Sequence, residues 1–201
     1  MGDGLVDLSA AAFVHPSAIV LGRVKAHEGV SIWCHAVIRS EAAHVEIGPF
    51  TNIQDFVMIH TDPGRPVVIG SHCSITHHAT IHGATIGNNV LVGINATVYS
   101  GAVVGDNCII GQHAYVKDGT VVPANSIVVG APARILRQAD NWLANRLNAA
   151  VYYRNALAYA AGDHRAWEGP EFEAWLDRTL AALQAEQAAR EAQAAAGDDA
   201  A

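Results

Sequence analysis

The sequence predicts a mainly β chain, a parallel β-helix of six-residue repeats followed by C-terminal α-helices. Three observations predict it. An aliphatic residue recurs at every sixth position over much of the chain. The fifth position of each block is small. After Arg134 that phase is lost and apolar residues recur at helical spacing instead.

The first blocks are LGRVK, AHEGVS, IWCHAV and one opening at Ile38. IGPFTN, IQDFVM and an extended block from Ile59 follow, then IGSHCS, ITHHAT and the short IHGAT. From Ile86 the phase is unbroken, with openings at Val92, Val98, Val104, Ile110, Val116, Val122 and Val128. Such a period fits neither an α-helix nor a simple hairpin. One short strand plus a turn fills a block, and three blocks make a triangular coil of about eighteen residues. The opening aliphatic and the small fifth residue point inward and stack on their equivalents at ~4.8 Å per rung. Gly and Asn near the corners supply the backbone freedom of tight turns. Cys73 and Cys108 fall on small inward positions and read as core; Cys34 falls in a turn.

Residues 141–161 carry Trp142, Leu143, Arg146, Leu147, Ala150 and Val151 at helical spacing, with Asp140 or Asn141 as the cap and Gly162 as the stop. A second helical stretch covers 171–196 after Gly169-Pro170. The expected organisation is a β-helix over 1–137, helices over 138–196 and a frayed tail at 197–201.

Composition narrows the function. The chain has 201 residues, 51% hydrophobic and 15% charged, enough for a large core. No apolar run approaches the ~20 residues of a membrane span. The N-terminal MGDGLVDLSAAAFVHPSA lacks a secretory pattern, so a cytoplasmic location is expected. The net charge of -7, without a Lys- or Arg-rich stretch, argues against nucleic acid and anionic membranes as partners. Three cysteines without CxxC spacing argue against disulfides and a cysteine zinc site. Histidine stands out, at eleven against twelve Lys plus Arg.

The repeat assigns faces to those histidines. Ile59 and Ile81 open blocks one coil apart, so His60 and His82, directly after them, sit one rung apart on one face. Both imidazoles can reach one ion at the ~2.0–2.1 Å of zinc–nitrogen bonds. His77, third in its block, points outward near a corner and can complete a site on a neighbouring copy. Three His and an open fourth position form a catalytic zinc arrangement. A single corner His is more often a solvated turn residue, and His72, His78 and His113 are read that way.

The repeats resemble those of hexapeptide-repeat proteins, which fold as left-handed parallel β-helices. SIWCHAVIRSE, TNIQDFVMIHTD, ITHHATIHGATIG, LVGINATVYSGAVVG and VVGAPARIL together resemble the gamma-class carbonic anhydrase-like family over most of 13–137. The resemblance implies a homotrimer with a metal at each subunit interface, bound by His60 and His82 of one chain and His77 of the next. Zinc is the default ion, with iron or cobalt in relatives. It also implies that Gln54 hydrogen-bonds the metal-bound water and that Arg39 and Asp55 form an ion pair bracing the interface. Glu41 stands where the family usually has Asp. NAAVYYRNALAY resembles the family's Asn-Ala-x-x-Tyr pattern and places Tyr152 over the metal, or Tyr153 after a one-residue slip. The loop TDPGRPV departs from members whose acidic loop carries a glutamate proton shuttle; it offers Asp62.

The implied chemistry is hydration of carbon dioxide to bicarbonate by a metal-bound hydroxide, with Tyr152 or Asp62 handling product or proton. Metal loading falls as pH drops toward imidazole's ~6.5. Two alternatives compete: a hexapeptide-repeat acyltransferase or CoA-thioester hydrolase, and a catalytically silent metal-binding trimer.

Overall fold

The computed structural model of the chain describes residues 6–198. Short parallel strands stack into a β-helix of about seven turns with three faces. One face contains Met58–His60, Thr80–His82, Thr97–Val98 and Tyr115–Val116. The next contains Val67–Ile69, Thr85–Ile86, Val103–Val104 and Val121–Val122. The third runs from Phe13–Val14 to Ser126–Val129. In the regular part, partners are eighteen residues apart, as with Thr85 and Val103. The long strand Val37–Ile47 turns the corner between the first two faces, pairing with Met58–His60 and then with Val67–Ile69.

The opening aliphatics form the expected columns. Ile38, Ile59, Ile81, Val98 and Val116 are in register and fully buried. Each such side chain contributes about 1.5–3 kcal/mol relative to exposure. Cys73 and Cys108 lie in the same core. Glycine in second place follows from close approach. A Cβ on Gly70 would lie 2.6 Å from the Gly87 carbonyl oxygen of the next coil.

The opposite corners hold non-glycine residues at positive φ, among them His35, Phe56, His72, His78, Asn107 and His113. Left-handed backbone disfavours L side chains by roughly 1–2 kcal/mol. Contacts between rungs offset this. Phe56 and His78 stack at 4.9 Å, Phe50 and His72 at 5.1 Å. The Asn89 amide donates to Asn107 at 3.0 Å, and that of Asn107 to Asn125 at 3.2 Å. His72, His78 and His113 are therefore turn residues, as expected.

Past the last coil, Arg134–Gln138 pairs antiparallel with Ser126–Val129. The sequence reading did not anticipate this strand, because RILRQ carries no six-residue phase. Helices α1 (Trp142–Ala160) and α2 (Pro170–Asp198) follow. Asn141 is the N-cap of α1 but its side chain makes no cap bond, its amide donating instead to the Asn107 carbonyl; the preceding Asp140 accepts the Trp142 N–H at 2.9 Å. Gly162, at φ +84°, ends it. Its N–H donates to Tyr159 and that of Asp163 to Ala158, the paired bonds of a Schellman turn.

Of the residues at helical spacing, Trp142 is buried, while Leu143, Arg146, Leu147, Ala150 and Val151 are half-buried, so the buried face of α1 differs from that set. It consists of Trp142, Asn145, Ala149, Asn155 and Ala156. The Asn145 amide supplies a donor to the Asn89 carbonyl at 2.8 Å and a second one, beside the Leu91 N–H, to that of Cys108 at 3.1 Å. Helix α2 packs on α1, with Arg190 over the Trp142 ring. It extends past the expected limit at Ala196; residues 199–201 of the expected frayed tail lie outside the described residues. Among the described residues no helix is long and apolar enough to cross a membrane.

Candidate metal centre

Strand alternation places the first cluster. Ile59 and Ile81 face the core, so the residues after them face out, and Arg39, His60 and His82 fall in register on successive coils. His60 Nδ1 lies 3.0 Å from His82 Nε2. The opposite nitrogens are also engaged. His60 Nε2 is 3.1 Å from Glu41, and His82 Nδ1 is 2.8 Å from Ser100 Oγ. Ser100 in turn donates to Asp62. Tyr99 stacks on His82 at 5.1 Å with 11° between the planes.

His77 belongs to a second cluster. Its Nδ1 lies 3.0 Å from Asp55 and its Nε2 3.5 Å from the Tyr152 hydroxyl. Gln54 lines a groove with His77 and Tyr152; it is buried, and its amide donates to Asn52 Oδ1 at 2.9 Å. Burial, with the Asp55 charge nearby, pushes the Tyr152 phenol up to about 12, so it stays a neutral donor at physiological pH. Burial and then the Asp55 carboxylate push the Cys34 thiol up. A cavity of about 510 Å³ opens beside His77, walled by Trp33, Tyr152, Tyr159 and Trp167. Trp33 meets Tyr152 and Tyr159 edge-on at 5.9 and 4.9 Å.

The sequence-derived residues thus fall into two groups within one chain. Arg39, Glu41, His60, Asp62 and His82 form one; Gln54, Asp55, His77 and Tyr152 form the other. Arg39 pairs with Glu41 and Asp55 with His77, so an Arg39–Asp55 pair does not form within the chain. Tyr153 packs on Phe50, leaving Tyr152 as the tyrosine at His77. Among the described residues of one chain, no three His, Cys, Asp or Glu side chains converge as a metal site. Sequence reasoning missed Ser100 and Trp33. Counting rungs would have found Ser100, because it lies beside Gly83 on the next coil.

Comparison with known proteins adds the family. The model described as bacterial transferase hexapeptide (six repeats) matches residues 83–118. The chain is 51% identical over 121 residues to a probable carbonic anhydrase of Methanocaldococcus jannaschii, covering 60% of this chain and 76% of that protein. It is 35% identical over 170 residues to the mitochondrial gamma carbonic anhydrase 1 of Arabidopsis thaliana, covering 81% of this chain and 62% of that one. The chain belongs to the gamma-class carbonic anhydrase-like family of hexapeptide-repeat proteins. Among solved structures, a hexapeptide transferase family protein from Anaplasma phagocytophilum superposes with a TM-score of 0.67 at 30% identity, over 77% of this chain and 89% of that one. The gamma-class family thus shares its coil with proteins named for group transfer.

The donor chemistry of the first cluster suits a divalent cation. Two imidazole nitrogens converge, and each ring has a polar partner at its other nitrogen, the arrangement that orients metal-binding histidines. Tetrahedral zinc with ~2.0–2.1 Å bonds separates two nitrogens by about 3.3 Å, near the distance found.

Proposed function

We propose that the protein is a zinc-dependent carbon dioxide hydratase whose site forms between copies in a homotrimer. His60 and His82 of one copy and His77 of the next hold the ion. The observation that carries the reading is the His60–His82 pair, outward on adjacent rungs with its ring nitrogens converging. When bound, the ion would lower the pKa of its water to about 7 and so supply a nucleophile at neutral pH.

The remaining work falls to the chain's own side chains. Asn52 accepts a hydrogen bond from the Gln54 amide, which leaves the Gln54 carbonyl to orient the nucleophile by accepting a hydrogen bond from it. Tyr152, neutral through burial, donates to the oxygen that gains negative charge as bicarbonate forms. Glu41 and Asp62 sit around the histidine pair as acceptors, and the aromatic wall beside His77 limits bulk water. Hydration needs a proton exported each turnover; with Asp62 engaged by Ser100, buffer carries that proton.

Metal analysis of the purified oligomer together with oxygen-isotope exchange between carbon dioxide and water tests this. About one zinc per chain and exchange above the buffer rate are expected. Exchange at the buffer rate with full zinc leaves a silent metal-binding trimer. The second reading, acyl transfer or thioester hydrolysis, is favoured by the cavity, which far exceeds the needs of carbon dioxide, and by the transferase-named structure. Thiol release from acetyl-coenzyme A without isotope exchange would support it.

A further inference from the structure

A proton inventory assigns the tautomer of His82. Ser100 Oγ contacts both the Asp62 carboxylate and His82 Nδ1, the second at 2.8 Å. A carboxylate only accepts, and a serine hydroxyl carries one proton. That proton goes to Asp62, so Ser100 accepts on its other side and the donor is the Nδ1–H of His82. A neutral imidazole with its proton on Nδ1 has a bare Nε2. Nε2 is the atom that faces His60 at 3.0 Å.

The fold builds this relay from three coils. After His60 the chain makes a tight turn, in which Asp62 and Arg65 exchange backbone hydrogen bonds of 3.2 and 3.0 Å across Pro63 and Gly64. The turn sends the Asp62 carboxylate back over Gly83. A Cβ on Gly83 would lie 3.3 Å from Ser100 Oγ and 3.4 Å from Asp62 Oδ2, so a glycine leaves the relay its room. Ser100 is buried, at 4% exposure.

We infer that Asp62 and Ser100 are positioning residues that lock His82 as its Nδ1–H tautomer and hold Nε2 free for a divalent cation. The inference rests on the metal reading above. It gives Asp62 a task other than proton transport: its carboxylate directs the serine proton, and the serine directs the ring. Asp62 Oδ2 lies 3.5 Å from Nδ1 and makes no hydrogen bond to it, so without the serine oxygen the imidazole proton can settle on Nε2, where it blocks the ligand atom.

The test uses the full chain, with Ser100→Ala, Asp62→Ala and Ser100→Thr variants. In zinc-free protein near pH 8, two-bond proton–nitrogen correlations report the tautomer of His82, identified by its loss in His82→Ala. Zinc affinity is read by competition with a chromophoric chelator. The wild type is expected to show the Nδ1–H pattern. Ser100→Ala is expected to lose that pattern and bind zinc about 10–100-fold more weakly. Ser100→Thr, which keeps the hydroxyl, restores both. An unchanged tautomer and affinity in folded Ser100→Ala overturns the inference, as does a threonine variant no better than alanine. If Ser100→Ala does not fold, Asp62→Ala, at a part-exposed position, gives the same two readouts. Wild type with the expected tautomer and full zinc but no isotope exchange defeats the hydratase reading and leaves the relay intact. An active hydratase indifferent to Ser100→Ala does the reverse.

Discussion

Substitution of two adjacent residues separates the scaffold from the site. Ile81 is fully buried between Ile59 and Val98, while His82 is its outward neighbour. Ile81→Ala removes three carbons, worth about 0.8 kcal/mol each in transfer. The cavity left between rungs adds roughly 1 kcal/mol. The expected loss is about 3–4 kcal/mol, which at a guanidinium slope of ~4 kcal/mol/M moves the midpoint by about 0.8–1 M. His82→Ala loses its hydrogen bond to Ser100, worth about 0.5–1.5 kcal/mol net, at a position water can reach. Its stability cost is expected near 1 kcal/mol, while zinc binding is lost. Guanidinium unfolding by circular dichroism and metal analysis of the folded variants read the two effects. Stoichiometric zinc in His82→Ala, or a stability loss there equal to that of Ile81→Ala, refutes the division of labour between inward and outward residues.

Other expectations follow from the same structure. Gln54→Ala is expected to keep its zinc by metal analysis and to lower isotope exchange; unchanged exchange removes Gln54 from the reaction. Burial, then the Arg146 charge, lowers the His72 imidazole to about 4 from an ordinary 6.5. The folded state prefers neutral His72, so the associated stability is complete above pH ~6.5 and lost as pH falls toward about 4. Urea midpoints across that window are expected to fall less steeply in His72→Asn, since asparagine tolerates the residue's positive φ; parallel curves contradict the assignment. Gly70→Ala places a Cβ 2.6 Å from the Gly87 carbonyl and is expected to cost about 1–3 kcal/mol in thermal unfolding. A neutral result there sinks the close-approach account of the glycine column.

The repeat made the coil and its inward residues legible because a stacked rung has one solution for each position. An aliphatic at Ile59 or Ile81 must face in, and the next side chain must then face out. The His60–His82 pair was readable for that reason. The helices were legible as elements and not as surfaces. The docking face of α1 is set by the Asn89 and Cys108 carbonyls, which accept from the Asn145 amide and which no helical periodicity reveals. The capping strand Arg134–Gln138 was invisible because it depends on an edge that exists only after the coils have formed.

The sequence by itself determined the coil, its rung spacing and the outward histidines, since all three follow from local alternation and a fixed period. Only the tertiary structure decided what each ring nitrogen meets. Glu41, Ser100 and Asp62 reach the histidine pair from other rungs and from a turn, and Asp55 and Tyr152 reach His77 from another coil and from α1. Those contacts depend on side-chain directions across chain separations that a six-residue period does not encode.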